Sequence, residues 1–542
     1  MLIDGLRRHG LLLAVLAGNL LLRARLLEVP LERDEGVYAY IAQRILAGVP
    51  LYTETVDLQM PGLWLCYAAF LAAFGETAAG VHTGLLLASE LTVLLVYGIA
   101  LGFSRPGAAA FAAATYALLS LGRSVLGFSA NAEHFVVLPA LAGLLLLQRA
   151  TASWRPLPFL LSGVLLGLSA GIKQQGALFA LVGAVALAFA LVTRRRRGDQ
   201  AHAVALPVYL AGVALPLVAF ALWFAARGVF GEFWFWSVAY PLQYAGAETS
   251  IPTAKLLARS GTLVLRDSWA LFAWSALGLG TAVFELARGG RRRAAAVFVL
   301  TLSGGSLLGL APYFRYHYYV LVLPAVALLA ALALEHLLTQ PHRWLRVLAT
   351  LLAGLSLAQP LWTQRGYLFA LAPEEIVRIA YPWTPFAASP GLAERLRQRS
   401  APGDRIAILG SEPQILFYSG IPSAIRQVVM YPLIWGDREL AHGLERRTIA
   451  EMEAVRPRFV VLVRAPSSWG LRLTTRADDP RFAQLPLLEW ASEYTREGFR
   501  RIGVVDFLDA RRTVTVWGDE AARYEPRSNR AYLVVLERDE PR

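Results

Sequence analysis

The sequence predicts a polytopic α-helical membrane protein that carries a small C-terminal α/β domain outside the membrane. Hydrophobic residues make up 56% of the 542 residues and charged residues only 17%, and the mean hydropathy is +0.47. Apolar runs of about twenty residues, long enough to cross a roughly 30 Å hydrocarbon core, recur through the first two-thirds of the chain. After Trp362 the apolar runs shorten to strand length.

The number of membrane crossings depends on segment 61–75, which is apolar but only about fifteen residues long and therefore short for a span. If this segment lies along the outer surface, the basic runs Arg194–Arg197 and Arg291–Arg293 fall in the cytoplasm, as the positive-inside bias favours. The N-terminus is then cytoplasmic, and the acidic loop after the first span faces outward. The eleven predicted spans are roughly 9–27, 81–103, 107–122, 132–149, 157–173, 175–193, 203–226, 263–287, 294–312, 318–338 and 345–362.

Three regions follow from this pattern. Residues 1–362 form a transmembrane module whose first outer loop is 28–80, residues 363–389 form a linker, and residues 390–542 form the extracytoplasmic α/β domain. In that domain, strand-like runs alternate with helical stretches at 391–400 and 437–455, which is typical of α/β architecture. The predicted strands are 405–410, 424–430, 458–465, 513–518 and 531–538.

Charge and cysteine content exclude several classes of function. The net charge is +13, but much of it is arginine in short loops between apolar segments, where it orients helices, so nucleic acid is not an expected partner. The single cysteine, Cys66, excludes an internal disulfide and a cysteine metal cluster. The loop 227–262 is dense in Phe, Trp and Tyr, which suits an interfacial belt or a groove for a lipid substrate.

The first outer loop carries four acids within about twenty-four residues: Asp34, Glu35, Glu54 and Asp57. Asp34 is predicted to be the N-cap of a short amphipathic helix, and Glu35 lies where it would interact with the positive end of the helix dipole. Capping alone would explain one acid. Acids crowded at a low-dielectric boundary tend to have raised pKa values, which suits a general base.

Three more clusters fall on the same outer face. Glu133 lies in the sequence Ser129-Ala-Asn-Ala-Glu-His134, Lys173 is followed by two glutamines, and Arg315 and His317 alternate with tyrosines in 314–319. Each cluster also has a simpler explanation, namely helix capping, snorkelling of the lysine to headgroups, or an aromatic anchor. Their convergence on one face indicates a shared site for a sugar or a phosphate.

The residues at these positions resemble a known family. The stretches 33–39 (RDEGVYA), 48–52 (GVPLY) and 57–62 (DLQMPG) resemble the first outer loop of GT-C glycosyltransferases of the bacterial family 39 type, related to protein O-mannosyltransferases and aminoarabinose transferases. Supporting similarity continues through 131–133, 171–174 and 317–319 with Pro324, so it covers roughly residues 1–362.

The resemblance implies a multi-pass enzyme of the bacterial inner membrane that moves a hexosyl or pentosyl group from a polyprenyl-phosphate carrier to a lipid, glycan or protein acceptor on the outer face. Asp34 would be the general base, with Glu35 beside it and Glu133 near the reacting sugar. Where the family often has a lysine this chain has Gln59, which shifts phosphate binding towards Lys173 or Arg315. The residues expected to contact substrate are Tyr38, Tyr52, Asp57, Gln59, Lys173, Gln174, Arg315, His317 and Tyr318.

Two further expectations concern cofactors and the alternative function. No cofactor is required by the sequence; the acids are compatible with a divalent metal, but no His/Cys ligand spacing indicates one. The alternative function is a transporter or lipid flippase, which would place ionisable residues at the bilayer midplane and repeat one half of the chain in the other. Here the charges lie mostly at span ends and the halves do not match, which favours the enzyme.

Overall fold

The computed structural model of the chain describes residues 2–195, 204–246, 253–289, 292–434, 437–471, 480 and 484–539. Helices form the chain up to Thr363, and a five-stranded sheet lies in the C-terminal part. This architecture confirms the predicted fold class. Parts of the two basic runs, Arg196, Arg197 and Arg291, lie outside the described residues.

Six helices in the described part are long and apolar enough to cross a membrane, and six shorter apolar helices accompany them. Several helices begin with a proline in their first turn, for example Pro106 and Pro156, because proline has no N–H group to lose there. The helices up to Thr363 are α1 (Leu2–Ala24), α2 (Arg33–Leu46), α3 (Pro61–Phe74), α4 (Ala78–Ala100), α5 (Pro106–Leu121), α6 (Ala132–Ser153), α7 (Pro156–Ile172), α8 (Ala177–Arg195), α9 (Ala205–Ala226), α10 (Phe230–Trp234), α11 (Tyr240–Gly246), α12 (Thr253–Asp267), α13 (Trp269–Arg288), α14 (Arg293–Leu308), α15 (Leu323–Leu338) and α16 (Arg343–Thr363).

Two predicted spans are divided in the structure. The predicted span 263–287 is interrupted at Ser268, where the amphipathic helix α12 ends and the apolar helix α13 begins. The predicted span 318–338 starts as a 3-10 helix, Tyr316–Leu321, and becomes α-helical only from Leu323. The first break coincides with the polar residues Arg266, Asp267 and Ser268, whereas the second lies in a run of tyrosines and apolar residues that gives no polar signal at Val322.

The start of α2 differs from the prediction that Asp34 is the N-cap. Glu32 is the N-cap, and α2 begins at Arg33. Glu32 and Glu35 form a reciprocal capping box, in which each carboxylate accepts a hydrogen bond from the backbone N–H of the other residue at 3.2 Å. Asp34 is therefore inside the first turn, and its carboxylate is not used in capping.

The C-terminal part contains a mixed sheet with the strand order β1-β2-β5-β3-β4. Strands β1 and β2 are parallel, and the remaining neighbours are antiparallel. The strands are β1 (Ile406–Leu409), β2 (Phe459–Arg464), β3 (Phe499–Phe507), β4 (Thr513–Trp517) and β5 (Tyr532–Arg538). The helices are α17 (Pro373–Ala380), α18 (Ser389–Arg399), α19 (Pro413–Ser419), α20 (Arg438–Val455), α21 (Pro486–Tyr494) and α22 (Asp519–Arg523).

The strands of the structure differ from the prediction in two places. The segment 424–430 is not a strand; it makes an isolated bridge through Gln427 to Val56, so its backbone partner belongs to the first loop. Strand β3 was missed, because Arg500, Arg501 and Asp506 interrupt its apolar pattern. Two of these charges find partners only in the folded domain: Arg500 pairs with Glu537 of β5 at 2.7 Å, and Asp506 accepts a hydrogen bond from Tyr524, which follows α22.

The C-terminal domain packs directly on α2. A Cβ atom at Gly36 would lie 2.5 Å from the backbone nitrogen of Gln414, so only glycine permits this approach of α2 to α19. Two tyrosine hydroxyls accept hydrogen bonds across the same junction, that of Tyr40 from Ser423 N at 2.7 Å and that of Tyr418 from Leu31 N at 2.8 Å. The end of the helix bundle at which α2 meets α19 is called the domain end below.

Candidate functional site

Glu35 is a buried carboxylate at the domain end, and its hydrogen bonds connect the segments that carry the site. Its Oε1 atom accepts hydrogen bonds from the Ala130 backbone N–H at 2.6 Å and from His82 Nε2 at 2.8 Å. The other ring nitrogen of His82 lies 2.9 Å from the Leu27 carbonyl oxygen. The two ring nitrogens of His82 therefore link the Glu35 carboxyl group to the Leu27 carbonyl. This pairing joins α2, α4 and the loop before α6.

Asp34, the neighbour of Glu35, is half-buried and differs from it in its contacts. Within the described residues, the Asp34 carboxylate makes no hydrogen bond or ion pair with another side chain. It interacts electrostatically with Asp57, Lys173 and His317, which belong to three different segments of the chain. Asp34 is thus an available carboxylate that faces the other charged groups of the site.

Glu133 and Lys173 form a buried ion pair beside Asp34. Lys173 Nζ donates to Glu133 Oε1 at 2.5 Å, and the same Nζ lies 4.5 Å from the centre of the Tyr318 ring. The pair joins the first turn of α6 to the residue that ends α7. Glu133 Oε2 is buried and has no partner in the described part of the chain. This pair therefore offers an ammonium group and an unused carboxylate oxygen.

Asp57 lies in the loop between α2 and α3 and approaches the same cluster. Burial raises the pKa of Asp57 to about 7, and the nearby Asp34 adds to the rise, whereas the Leu58 and Gln59 N–H groups and Lys173 oppose it. Its Oδ2 atom is buried without a partner among the described residues. Burial therefore keeps the Asp57 carboxyl group neutral up to a higher pH than that of an exposed aspartate.

Hydrogen bonds to backbone carbonyl groups hold the loop that carries Asp57. Gln174 donates through Nε2 to the carbonyl oxygens of Leu58 at 2.9 Å and Ser237 at 2.8 Å. The Ser237 hydroxyl donates to the Gln59 carbonyl and lies 2.9 Å from the Tyr52 hydroxyl. Ser237 belongs to a π-helix, Phe235–Ala239, and such local irregularities in helices are frequent at functional sites.

Two polar groups on the 314–319 segment, Arg315 and His317, complete the cluster. Arg315 is exposed, with its guanidinium 5.7 Å from the centre of the Tyr313 ring. His317 is half-buried, and its ring lies 4.9 Å from that of Tyr318. Burial lowers the pKa of His317, and this effect exceeds the opposing influence of Glu133. His317 is therefore a neutral hydrogen-bonding group at neutral pH, and Arg315 carries the permanent positive charge at this edge.

The C-terminal domain covers the site through Arg33. Its Nε donates to the Ser411 carbonyl at 2.8 Å, and its Nη1 donates to the Tyr431 hydroxyl. The guanidinium also lies 5.1 Å from the centre of the Tyr431 ring and 5.5 Å from that of Phe386. Arg33, the residue before Asp34, thus connects the start of α2 to the C-terminal domain.

The structure separates the predicted site residues into two groups. Asp34, Asp57, Glu133, Lys173 and His317 influence one another electrostatically, and Tyr318 and the buried Tyr38 lie among them. The second group consists of Glu35, Tyr52 and Gln174, whose polar groups are engaged in internal hydrogen bonds. Gln59 is also buried, with its backbone carbonyl bound to Ser237.

Sequence reasoning missed His82 and Tyr431, and gave Arg33 no role. His82 had a usable signal, because an ionisable residue inside an apolar helix requires a partner. Tyr431 had none, since it is almost four hundred residues away from Asp34 along the chain. Across the residues that the structure describes, no group of three or more His, Cys, Asp or Glu side chains is arranged to hold a metal ion.

Comparison with solved structures identifies the fold. ArnT from Cupriavidus metallidurans bound to undecaprenyl phosphate is similar over 97% of this chain and 98% of its own, with a TM-score of 0.60 and 15% identity. The archaeal oligosaccharyltransferase AglB from Archaeoglobus fulgidus, in complex with an inhibitory peptide and a dolichol-phosphate, gives a TM-score of 0.53 at 14% identity over 95% of this chain and 75% of its own. The arabinofuranosyltransferase AftD from Mycobacteria gives 0.53 at 16% identity over 98% of this chain and 40% of its own.

The chain therefore has the fold of GT-C glycosyltransferases, as its first-loop pattern suggested, and the architecture of a multi-pass membrane protein. No protein-family model and no curated protein sequence matches it. At these identities the likeness establishes the fold, and the chemistry has to be argued from the residues of this chain.

The buried ion pair yields a stability prediction. Lys173→Met leaves the Glu133 carboxylate buried without its counter-charge, so we expect a loss of about 3–5 kcal/mol in the free energy of unfolding. Replacing both partners, Lys173→Met with Glu133→Leu, removes the uncompensated charge and is expected to restore most of that loss. Thermal unfolding of the full chain in nanodiscs measures both variants. A double variant no more stable than the single one would contradict the pairing.

Asp57 yields a pH-dependent prediction. Because its pKa in the folded protein is raised to about 7, the neutral form stabilises the fold at low pH, and this contribution is lost as the pH rises from about 4 through 7. Asp57→Asn removes the titration. Between pH 5 and pH 8 the unfolding temperature of the variant should therefore fall by about 2 °C less than that of the unaltered chain. Parallel curves for the two proteins would show that Asp57 does not titrate in this range.

Proposed function

We propose that the chain is a glycosyltransferase that moves a sugar from a polyprenyl-phosphate donor to a hydroxyl or amine of an acceptor. One observation carries this proposal: an available carboxylate, Asp34, faces a buried ammonium–carboxylate pair in a GT-C fold. Transfer of a sugar from a phosphate requires a base on one side of the anomeric carbon and positive charge on the other. The cluster supplies both.

Asp34 is the proposed general base. An acceptor hydroxyl becomes an effective nucleophile when a positioned carboxylate takes its proton, which contributes about 10²–10⁴-fold to the rate. Asp34 suits this task because no other side chain in the described structure occupies its oxygens and because it is half-buried rather than enclosed. Its backbone position is fixed by the Glu32–Glu35 capping box on either side.

The leaving phosphate is the second requirement. As the bond between the anomeric carbon and the phosphate oxygen breaks, negative charge develops on the phosphate and has to be met by fixed positive groups. Arg315, exposed at the edge of the cluster, is the main proposed phosphate ligand, since its planar guanidinium matches two phosphate oxygens. Lys173 is the second, with part of its charge already balanced by Glu133.

The proposed step is a single displacement. The acceptor oxygen forms a bond to the anomeric carbon, its proton passes to Asp34, and the carrier phosphate leaves with the electron pair of the broken bond. The configuration at the anomeric carbon is therefore inverted. No side chain is proposed to form a covalent intermediate, and Glu133 acts by holding Lys173 and by accepting a sugar hydroxyl at its unpaired Oε2.

Four of the predicted site residues act by positioning in this proposal. Glu35 holds α2 against α4 and the loop before α6, and Tyr52, Gln59 and Gln174 hold the loop of Asp57. Tyr38 and Tyr318 line the cluster with their rings. The compatibility of the acids with a divalent metal stays a prediction.

The carrier is proposed from the neighbours as well as from the charges. The similar ArnT structure is bound to undecaprenyl phosphate, and the AglB structure is in complex with a dolichol-phosphate. Both ligands are polyprenyl phosphates, and each was found in the neighbouring structure and not in this chain. We extend the class to this chain because two cations lie at the ends of apolar segments: Lys173 follows the last residue of α7, and Arg315 precedes the 3-10 helix Tyr316–Leu321 that leads into α15. The outer face of a bacterial inner membrane is the proposed location.

Replacing Asp34 tests the base assignment. Asp34→Asn should lower the transfer of labelled sugar from a polyprenyl-phosphate donor by about 10²–10⁴-fold, since the amide takes no proton. The chain is assayed in nanodiscs with a cell-envelope extract as the acceptor source. Glu76→Gln is the matched control, because Glu76 is an exposed acid of the predicted first outer loop 28–80, and its carboxylate accepts a hydrogen bond from Gln43. Full transfer by a folded Asp34→Asn variant would refute the assignment.

A further inference from the structure

Two adjoining cavities lie at the end of the helix bundle opposite the site. Helices α4, α6 and α8 begin near His82, Glu133 and Lys173 and end at these cavities, whereas α14 begins there. The cavities are lined by three arginines: Arg105, Arg194 and Arg292. The end of the bundle that carries these arginines is called the basic end below. The proposed transfer reaction uses none of the residues that line the two cavities.

The larger cavity is apolar and lies between helices. Its volume is about 500 Å³, which is within the range of about 300–1,000 Å³ that is usual for ligand cavities. Its walls come from the C-terminal parts of α6 and α8 and from the first turns of α14, where leucine, alanine, valine and phenylalanine side chains predominate. An empty space with such walls forgoes the dispersion contacts that a hydrocarbon chain would supply.

The second cavity, of about 480 Å³, is lined by charged groups. The buried Glu335 carboxylate accepts hydrogen bonds from the Arg105 backbone N–H at 3.0 Å and from Arg292 Nη2 at 3.1 Å, and it lies 3.7 Å from Arg105 Nε. Arg194 adds a third guanidinium in the lining of the apolar cavity, 4.7 Å from the centre of the Trp154 ring. Among the described residues, the charged side chains that line the two cavities are thus three arginines and one glutamate, which leaves a net positive charge.

The two cavities are continuous. Gly102, Phe103, Ala294 and Ala295 line both of them, and Gly102 and Ala294 are exposed, so the junction is open to the surroundings. The Gln148 amide occupies the space that a Cβ atom at Gly102 would need. Its Oε1 atom is buried without a partner in the described part of the chain. The junction therefore offers a hydrogen-bond acceptor between the apolar and the basic cavity.

Each cavity matches a different part of a lipid. A phosphate group fits the paired guanidinium groups, which can each bind two of its oxygens, whereas inorganic phosphate would leave the apolar cavity unfilled. The carrier phosphate of the proposed reaction is bound at the other end of the bundle, so a lipid phosphate at the basic end belongs to the opposite leaflet. The positive-inside bias predicts that this leaflet is cytoplasmic, and anionic phospholipids give the cytoplasmic leaflet its negative surface potential.

We infer that the two cavities form one binding site for an anionic phospholipid, with its phosphate between Arg105 and Arg292 and one acyl chain in the apolar cavity. The bound lipid contacts α4, α6, α8 and α14 and so holds the basic end of the bundle together. Because the lipid binds the folded chain, it stabilises the fold. The inference does not depend on the proposed transfer reaction, since it concerns the other end of the bundle.

A cavity-filling variant tests the inference. Full-length protein in detergent is titrated with phosphatidylglycerol or with phosphatidylcholine of the same acyl chains, and native mass spectrometry counts the bound lipids. We expect phosphatidylglycerol to bind at least tenfold more tightly. Ala294→Trp fills the junction and should lower that affinity at least tenfold. Ala152→Trp is the matched control and should stay within twofold, since Ala152 is an exposed alanine near the end of α6 that lines neither cavity.

A charge variant tests the phosphate contact. Arg292→Gln leaves Arg105 as the partner of Glu335 and should lower phosphatidylglycerol binding about tenfold, while phosphatidylcholine binding changes less than twofold. Arg288→Gln is the matched control, because it removes a positive charge at the exposed end of α13, outside both cavities. Its affinity should stay within twofold. If Arg292→Gln does not fold, the comparison of Ala294→Trp with Ala152→Trp decides.

The outcomes are distinct. A preference for phosphatidylglycerol that Ala294→Trp loses and the two controls keep supports the site. Equal binding of both lipids, full binding by Ala294→Trp, or the same loss in Ala152→Trp would overturn it. In two further arms, excess inorganic phosphate should not displace phosphatidylglycerol, and undecaprenyl phosphate should bind equally to the unaltered chain and to Ala294→Trp. Displacement by phosphate alone, or loss of undecaprenyl phosphate binding in that variant, would assign the site to another ligand and refute the inference.

Discussion

The arrangement of the site depends on the buried carboxylate of Glu35. Glu35 accepts hydrogen bonds from His82, from the Ala130 N–H and from the Glu32 N–H, and so joins three segments at the domain end. A buried carboxylate is costly unless every oxygen is satisfied and a counter-charge lies close by. Both oxygens of Glu35 have hydrogen-bond partners here, and the His82 ring lies against Oε1. Asp34 is the adjacent residue, and the rigid anchor at Glu35 leaves it available towards Asp57 and Lys173.

The same principle separates anchoring from reacting groups throughout the site. Gln174, whose Nε2 group donates to the carbonyl oxygens of Leu58 and Ser237, holds the loop of Asp57. Groups with an unused atom, such as Glu133 Oε2 and Asp57 Oδ2 within the described residues, lie in the cluster. This division suits the proposed transfer reaction, because groups that need not reorganise during a reaction stabilise a charged transition state most effectively.

Much of this arrangement could be predicted from the sequence, and the remainder depended on long-range packing. Hydropathy and run length predicted the helical bundle and the C-terminal sheet, because burial in a bilayer and in a sheet leave different periodicities. The acids near Asp34 and the cluster around Lys173 were predicted to share one face, and the structure brings them together. The roles of Tyr52 and Gln174 in holding the Asp57 loop were not predictable, since Ser237, their common partner, lies in a π-helix that no local pattern indicates. Strand β3 was hidden because its charges interrupt the apolar pattern and find their partners, such as Glu537 for Arg500, only in the folded domain.

The C-terminal domain completes the site, because it closes on α2 through Gly36 and covers Arg33 with Ser411 and Tyr431. The central claim is that Asp34 and the Glu133–Lys173 pair catalyse a single displacement at the anomeric carbon. The most direct test is the anomeric configuration of the sugar transferred by the purified full chain from a polyprenyl-phosphate donor of known configuration to an envelope extract. Inversion, with release of the free polyprenyl phosphate, is the predicted result. Retention of configuration would contradict the claim.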